Sequence, residues 1–140
     1  MIKYPARWEP DGDGFFIQFI DIPDAFTEGD TMEELIKMAE DALAGIIACI
    51  MEDNEEVPEP SNIQGDNIIY IKLLPEVALP LLIKKTRNKI GVSQDNIAQR
   101  MKIPYQTYQR WERAEGFNPT LKTLKKIARS LEKKLVVEFE

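Results

Sequence analysis

The feature that most limits what this chain can fold into is the stretch 93–112, where two short amphipathic segments are separated by Lys102-Ile103-Pro104. Ser93 suits a helix N-cap, Asp95 suits a first turn, and Ile97, Ala98 and Met101 supply one apolar side. Proline cannot continue that helix but is accepted at the first position of another, so the pattern predicts a second helix over 104–113. Tyr108 and Trp111 have the i, i+3 spacing that suits packing inward. Two short helices joined by a tight turn make a helix-turn-helix, in which small Ala98 lets the helices cross closely. An amphipathic segment over 79–90, and another with Leu121, Leu124, Ile127, Ala128 and Leu131 after Asn118-Pro119-Thr120, complete a small helical domain.

The second helix then presents Tyr105, Gln106, Thr107, Gln109 and Arg110 outward. These types suit DNA: Gln bonds adenine bidentately, Arg bonds guanine, and Thr reaches a phosphate or a thymine methyl. Lys84, Lys85, Arg87, Lys89, Arg100 and Lys102 add charge that suits phosphates. A plain helical bundle with a solvated basic face is the competing reading, and the flanking amphipathic segments argue against it. Beyond them, Leu135-Val136-Val137-Glu138-Phe139 reads as a terminal strand with no partner inside a helical domain. An unpaired edge invites a second copy or the other domain. Proteins that read two half-sites one DNA turn apart need two reading helices, which also predicts a homodimer or higher homo-oligomer.

The first half has a different period. Ile2 to Trp8 and Phe15 to Ile20 are apolar-aromatic runs around the turn formers Glu9-Pro10-Asp11-Gly12-Asp13-Gly14, which predicts a hairpin. The stretch 25–29 supplies a third short strand or an extended loop. Thr31 stands three residues before Glu34, the capping-box spacing. From there Leu35, Ala39, Ala42, Leu43, Ile46, Ile47 and Ile50 recur at helical spacing, and Gly45 is the expected point of close approach to the sheet. Residues 52–67 carry no period and read as a loop, and Ile68 to Leu73 returns to the sheet. Asp11 and Asp13 resemble the start of a calcium loop, but its later ligands are missing, so a hairpin turn explains them better. Asp21 and Asp24 bracket Ile22-Pro23, where a shared metal competes with a capped turn.

Charge divides the chain at the same place. Residues 1–73 hold 4 Lys/Arg and 17 Asp/Glu, a net of -13, whereas residues 74–140 hold 14 and 7, a net of +7. A basic surface recruits polyanions and an acidic one favours cations or basic proteins, so two modules with unlike partners are expected. The chain has no histidine, which removes His-dependent triads and most zinc sites. Its one cysteine, Cys49, excludes an internal disulfide and reads as a buried thiol among apolar neighbours. Met1-Ile2-Lys3-Tyr4-Pro5 lacks a signal-peptide core, and the apolar run 42–51 is too short to span a bilayer, so a cytoplasmic protein with no membrane partner is expected. No catalytic residue, metal ligand or cofactor is assigned.

Residues 80–131 resemble the Cro/C1-type (xenobiotic-response-element-like) helix-turn-helix family in Ser93-Gln94, Ile97-Ala98, Thr107, Arg110-Trp111-Glu112-Arg113, Pro119-Thr120 and Leu124-Lys125-Lys126-Ile127-Ala128. The resemblance implies that Gln94 holds a phosphate and that Tyr105, Gln106, Thr107 and Arg110 face the groove. The chain departs from that family in having Lys102 where Gly is usual, Tyr108 where an aliphatic residue is usual, and Ala114-Glu115-Gly116 where Gly directly follows the Trp-Glu-Arg run. The acidic half resembles the N-terminal domain of HicB-type antitoxins in Asp21-Ile22-Pro23, Thr27-Glu28-Gly29-Asp30-Thr31, Glu33-Glu34, Ala39-Glu40-Asp41-Ala42-Leu43 and Val57-Pro58-Glu59-Pro60-Ser61.

Together the two resemblances cover nearly the whole chain. They imply an α+β protein: a β-β-β-α-β partial ribonuclease-H-like domain over 1–73, then an all-α helix-turn-helix domain over 74–140 with a short C-terminal strand. The implied function is an antitoxin that neutralises a small basic, mRNA-cleaving toxin (HicA-like) through unidentified residues within 1–73. The same resemblance implies that it represses its own operon by binding double-stranded operator DNA. The alternatives are a transcriptional regulator whose acidic domain senses a small ligand or metal, and a Mg²⁺-dependent nuclease built on Asp21 and Asp24.

Overall fold

The turn formers at 9–14 close a hairpin between β1 (Lys3–Asp11) and β2 (Gly14–Phe19), which pair antiparallel from Ala6↔Phe19 to Asp11↔Gly14. In this computed structural model, which describes residues 1–114 and 116–140, β1 runs on through Glu9 and Pro10 to the turn itself. Gly12 carries φ +60 there, a conformation glycine adopts without strain. β3 (Phe26–Gly29) pairs antiparallel with the other side of β2, so residues 25–29 supply a strand rather than a loop.

Thr31 opens α1 (Met32–Glu52): its hydroxyl accepts the Glu34 N–H at 3.1 Å. Glu34 does not complete the box at Thr31 but reaches one residue further back, accepting the Asp30 N–H at 3.2 Å. Leu35, Ala39, Leu43, Ala44, Ile47 and Met51 are buried, while Ala42, Ile46 and Ile50 are only half-buried. The buried residues follow the i+4 ridge, which slants across the helix axis above a twisted sheet. Cys49 is exposed, contrary to the expected buried thiol, because it lies half a turn from the column that contains Ile47 and Met51. Gly45 is exposed too, and a Cβ there would meet nothing within 4 Å. The close approach belongs to Gly29 and Gly14: a Cβ on Gly29 would lie 2.8 Å from the Leu35 backbone N, and one on Gly14 2.6 Å from the Gly29 carbonyl.

A helix returning directly would lay the next strand parallel to β1. The stretch 53–67 instead carries the chain back across the unit, so β4 (Ile68–Lys72) pairs antiparallel with β1 and the strand order is β3-β2-β1-β4. That loop is held by side chains. The Tyr4 hydroxyl donates to the Pro58 carbonyl at 2.7 Å, and the Tyr70 hydroxyl donates to the Ile63 carbonyl at 2.7 Å while accepting the Ile63 N–H at 2.9 Å. Asp21 accepts the Ser61 N–H at 2.8 Å and the Ser61 hydroxyl. Burial, and after it the Glu59 and Asp21 carboxylates, pushes the Tyr4 phenol up to about 12. Tyr4, Ala6, Ile17, Phe19, Ile71 and Leu73 form the sheet side of this core.

The chain separates into two compact units, Met1–Ala78 and Leu79–Glu140, and passes between them inside α2 (Pro75–Ile90). Pro80 falls just beyond that boundary and removes one backbone donor from the helix. The second unit is built from the rest of α2 with α3 (Gln94–Met101), α4 (Tyr105–Trp111) and α5 (Leu121–Ser130). Ile83, Ile97, Ala98, Tyr108, Ile127 and Leu131 form its core, with Trp111 and Phe117 packed against it. Leu121, expected on the apolar side of α5, is 58% exposed.

The expected C-terminal strand does not form. α5 stops where Glu132 turns to φ +59 and the Lys133 N–H donates to the Ala128 carbonyl at 2.8 Å. Residues 135–139 then make no ladder with any described strand, and Val136, Val137 and Phe139 stand exposed. A strand is stabilised by pairing, and one copy of the chain presents this segment with no partner.

Candidate nucleic-acid interface

α3 and α4 are joined by a turn whose geometry comes from Lys102. The Ser93 hydroxyl caps α3 by accepting the Asn96 N–H at 3.1 Å. At its other end the Lys102 N–H donates to the Gln99 carbonyl and the Ile103 N–H to the Ala98 carbonyl, both at 3.1 Å, the two bonds of a Schellman motif. This requires a left-handed residue, and Lys102 supplies it at φ 58, ψ 44, where Gly would cost less. Pro104 is the N-cap of α4 rather than its first helical residue, with φ -61 and ψ 144. Ala114 is also left-handed, at φ 57, so the position directly after Trp-Glu-Arg keeps that backbone without a glycine. Glu115, which follows, lies outside the described residues.

Tyr105, Gln106 and Arg110 are exposed on α4, Thr107 and Gln109 are half-buried, and Tyr108 is wholly buried. Tyr108 packs on Trp111 with centroids 5.9 Å apart, and Trp111 stacks on Phe117 at 5.3 Å. That stack anchors the end of α4 beside an open cleft lined by Arg110, Asn118, Pro119 and Thr120. Phe117 belongs to no periodic segment, so its place in the sequence gives no sign of this role.

Beneath this face lies a polar centre. Arg87, expected at phosphates, is instead buried in an ion pair with Glu112: its Nε donates to Oε2 at 2.7 Å and its Nη2 to Oε1 at 2.9 Å. Its Nη1 donates to the Val92 carbonyl at 2.8 Å, so one guanidinium ties α2, the entry to α3 and the end of α4. Burial alone would push the Glu112 carboxyl up, but the bonds from Arg87 and Gln94 and the nearby Tyr108 hydroxyl outweigh it and hold the carboxyl below the ordinary range. Tyr108 sits close enough to be influenced in turn. Burial first, and then the Glu112 carboxylate, pushes its phenol far up, although its hydroxyl makes no hydrogen bond of good geometry among the described residues. A pair 25 positions apart leaves no periodic trace in sequence.

Gln94 connects this centre to the outer face. Its Nε2 donates to Glu112 Oε1 at 3.1 Å, its Oε1 accepts from the Tyr105 hydroxyl at 3.2 Å, and Gln109 Nε2 donates to the same hydroxyl at 3.4 Å. Three of the six residues expected at DNA, Gln94, Tyr105 and Gln109, are thus linked. A primary amide has two N–H donors, so Gln94 keeps one beyond the bond to Glu112. Gln106, Thr107 and Arg110 share the helix without joining that chain of bonds. Arg100 stands exposed and donates from Nη1 to the Ser130 carbonyl at 2.9 Å.

In the first unit, Asp21 spends both carboxylate oxygens on Ser61, so it serves the loop rather than a pair with Asp24. Among the described residues no helix is long and apolar enough to cross a membrane.

The geometry defines a helix-turn-helix protein with an acidic sheet-and-helix unit ahead of it. Residues 3–84 match the model of the HicB-like antitoxin of bacterial toxin-antitoxin systems, and residues 83–137 match a helix-turn-helix model. Antitoxin HicB 1 of Photorhabdus laumondii is 36% identical over 106 residues, covering 75% of this chain and 66% of its own length. Antitoxin HicB of Escherichia coli K12 is 33% identical over 107 residues, covering 75% of this chain and 76% of its own length. A crystal structure of the Burkholderia pseudomallei antitoxin HicB superposes with a TM-score of 0.45 at 16% identity, over 73% of this chain and 94% of that one. The chain belongs to the HicB-like antitoxin family and carries a helix-turn-helix domain.

Proposed function

We propose that this chain neutralises a small basic toxin through its acidic unit and represses the operon encoding both proteins through its helix-turn-helix. The observation that carries the reading is the junction of a unit rich in carboxylates to a basic one whose α4 exposes Tyr105, Gln106 and Arg110. Gln106 and Arg110 read base edges, Thr107 and Gln109 support them, and Gln94 spends its remaining donor on a phosphate while steadying Tyr105. An acidic surface attracts a basic RNA-binding protein and competes with the phosphates that protein would grip. The reading places the chain in the cytoplasm, where its DNA lies. Two copies act together, since paired half-sites need two α4 helices and the segment 135–139, with Val136, Val137 and Phe139 exposed, is available for pairing. The partial ribonuclease-H-like ancestry of the sheet unit belongs to the same reading and carries no catalytic step.

The test uses the full chain, the DNA upstream of its gene and the small basic protein encoded beside it. Gln106→Ala and Arg110→Ala should each lose about 1–3 kcal/mol of discrimination between operator and altered operator. Unchanged operator preference in quantitative footprinting would refute the assignment of α4. Failure of the wild-type chain to restore growth against the co-expressed basic protein would refute the antitoxin half.

A further inference from the structure

The sheet of the first unit has a face that α1 does not cover. Side chains alternate between faces along a strand, and Ala6, Ile17 and Phe19 are buried on the helix side. Their neighbours therefore point the other way. Strand register sets these in two rows: Glu9, Phe16 and Glu28 lie across β1, β2 and β3, and Arg7, Gln18 and Phe26 lie across the same strands in the next row. Phe16 and Phe26 meet diagonally with ring centroids 5.9 Å apart. Phe26 stands 57% exposed, whereas Phe19 on the opposite face is 1% exposed. Gln18 Nε2 donates to the Pro23 carbonyl at 2.8 Å, which fixes the link leading into β3. The face thus presents an aromatic pair on a hydrogen-bonded sheet, with a carboxylate on either side of Phe16.

We propose that this open face is where the basic protein partner docks, with Phe26 and Phe16 as the apolar anchor and Glu9 and Glu28 receiving Lys or Arg side chains beside it. The proposal rests on the antitoxin reading and adds to it the surface that does the work. Charge decides the kind of partner: residues 1–73 carry a net of -13, which repels a nucleic acid and attracts a cationic protein. Charge alone steers encounters without holding them, and tight complexes depend on a few buried aromatic or Arg contacts. In this unit the exposed aromatic and the flanking carboxylates lie on one face.

The experiment measures binding of the full chain to the small basic protein encoded beside its gene. Phe26→Ala should weaken the complex by about 30-fold or more, the loss typical of an anchor residue. The double variant Glu9→Lys, Glu28→Lys touches no core contact and should slow association by about tenfold or more at low salt. Met38→Ala on α1, where the side chain is 42% exposed, should leave affinity within about twofold. All variants should bind operator DNA as the wild type does. If Phe26→Ala and the charge-reversed double variant bind normally, or Met38→Ala loses as much, the docking face is wrong while the antitoxin reading stands. If the wild-type chain does not bind the basic protein, both fall together.

Discussion

The sheet-and-helix unit and the helix-turn-helix unit solve the same problem with opposite materials. In the first, apolar side chains fill the space between one helix and one sheet, and polar bonds from Tyr4, Asp21 and Tyr70 hold a loop at the margin. In the second, helices of eight, seven and ten residues are too short to be stable alone and depend on tertiary contacts to hold them. A charged pair takes that role: Arg87 and Glu112 sit inside, and through Gln94 the same centre reaches the tyrosine on the outer face. The first unit is therefore governed by how closely backbones fit, and the second by whether a few polar atoms find their partners.

The sharpest way to break this contrast is Glu112→Ala. Breaking a buried ion pair costs about 3–5 kcal/mol, because the remaining charge stays buried without its partner. A unit of this size has only about 3–9 kcal/mol to lose. Amides in α3 and α5 should exchange with solvent almost as fast as in an unfolded chain, while those in α1 stay protected. The double variant Arg87→Met, Glu112→Leu should recover most of the protection, since apolar replacement of both partners is often neutral. Protection that survives Glu112→Ala would mean that the apolar core suffices. The same pair sets a pH dependence. The folded Glu112 carboxyl lies below its ordinary value of about 4.3, so its stabilisation is present above that pH and lost as pH falls through the folded value. Glu112→Gln, followed by Trp111 fluorescence, should flatten this loss.

Backbone fit should dominate in the first unit. Gly29→Ala would press a methyl against the Leu35 backbone, which cannot move aside like a flexible side chain, at a cost of about 1–3 kcal/mol. The change should lower the unfolding midpoint followed by Trp8 in a Trp111→Phe background. A smaller effect of opposite sign is expected in the second unit, where Lys102→Gly relieves a left-handed residue and should stabilise by about 1 kcal/mol, read as a raised denaturant midpoint for Trp111 in a Trp8→Phe background. The smallest is Gly45→Ala, which enters open space on an exposed helical turn and should stabilise α1 by about 0.5–1 kcal/mol in the Trp8 measurement.

Local chemistry was legible in the sequence to the extent that its partners are near in sequence. Thr31 with Glu34, Ser93 ahead of α3 and the turn at Gly12 all act within a few residues, and each appears where its residue type predicts. Where the partner is distant, local pattern and tertiary placement part. Gly45 looked like the contact glycine because it lies in an apolar run, yet the helix meets the end of β3 at Gly29. Cys49 has apolar neighbours in sequence but faces away from the buried column. Arg87 belonged by composition to the phosphate-facing cations and by position to a carboxylate 25 residues onward. The strand expected over 135–139 has the right residue types and lacks the one thing they cannot supply, a paired edge.

By itself, then, the sequence determined the division into acidic and basic parts, the kinds and order of the elements up to the end of α5, and the helix that carries Gln106 and Arg110. Those follow from composition, period and capping, which are properties of short stretches. Only the tertiary structure decided that Arg87 is a buried strut, that Gln94 joins it to Tyr105, and that Phe16 and Phe26 meet on the uncovered face of the sheet. These depend on which distant backbones are brought together, and the free energy of a buried charge or an exposed aromatic is set by what surrounds it in space.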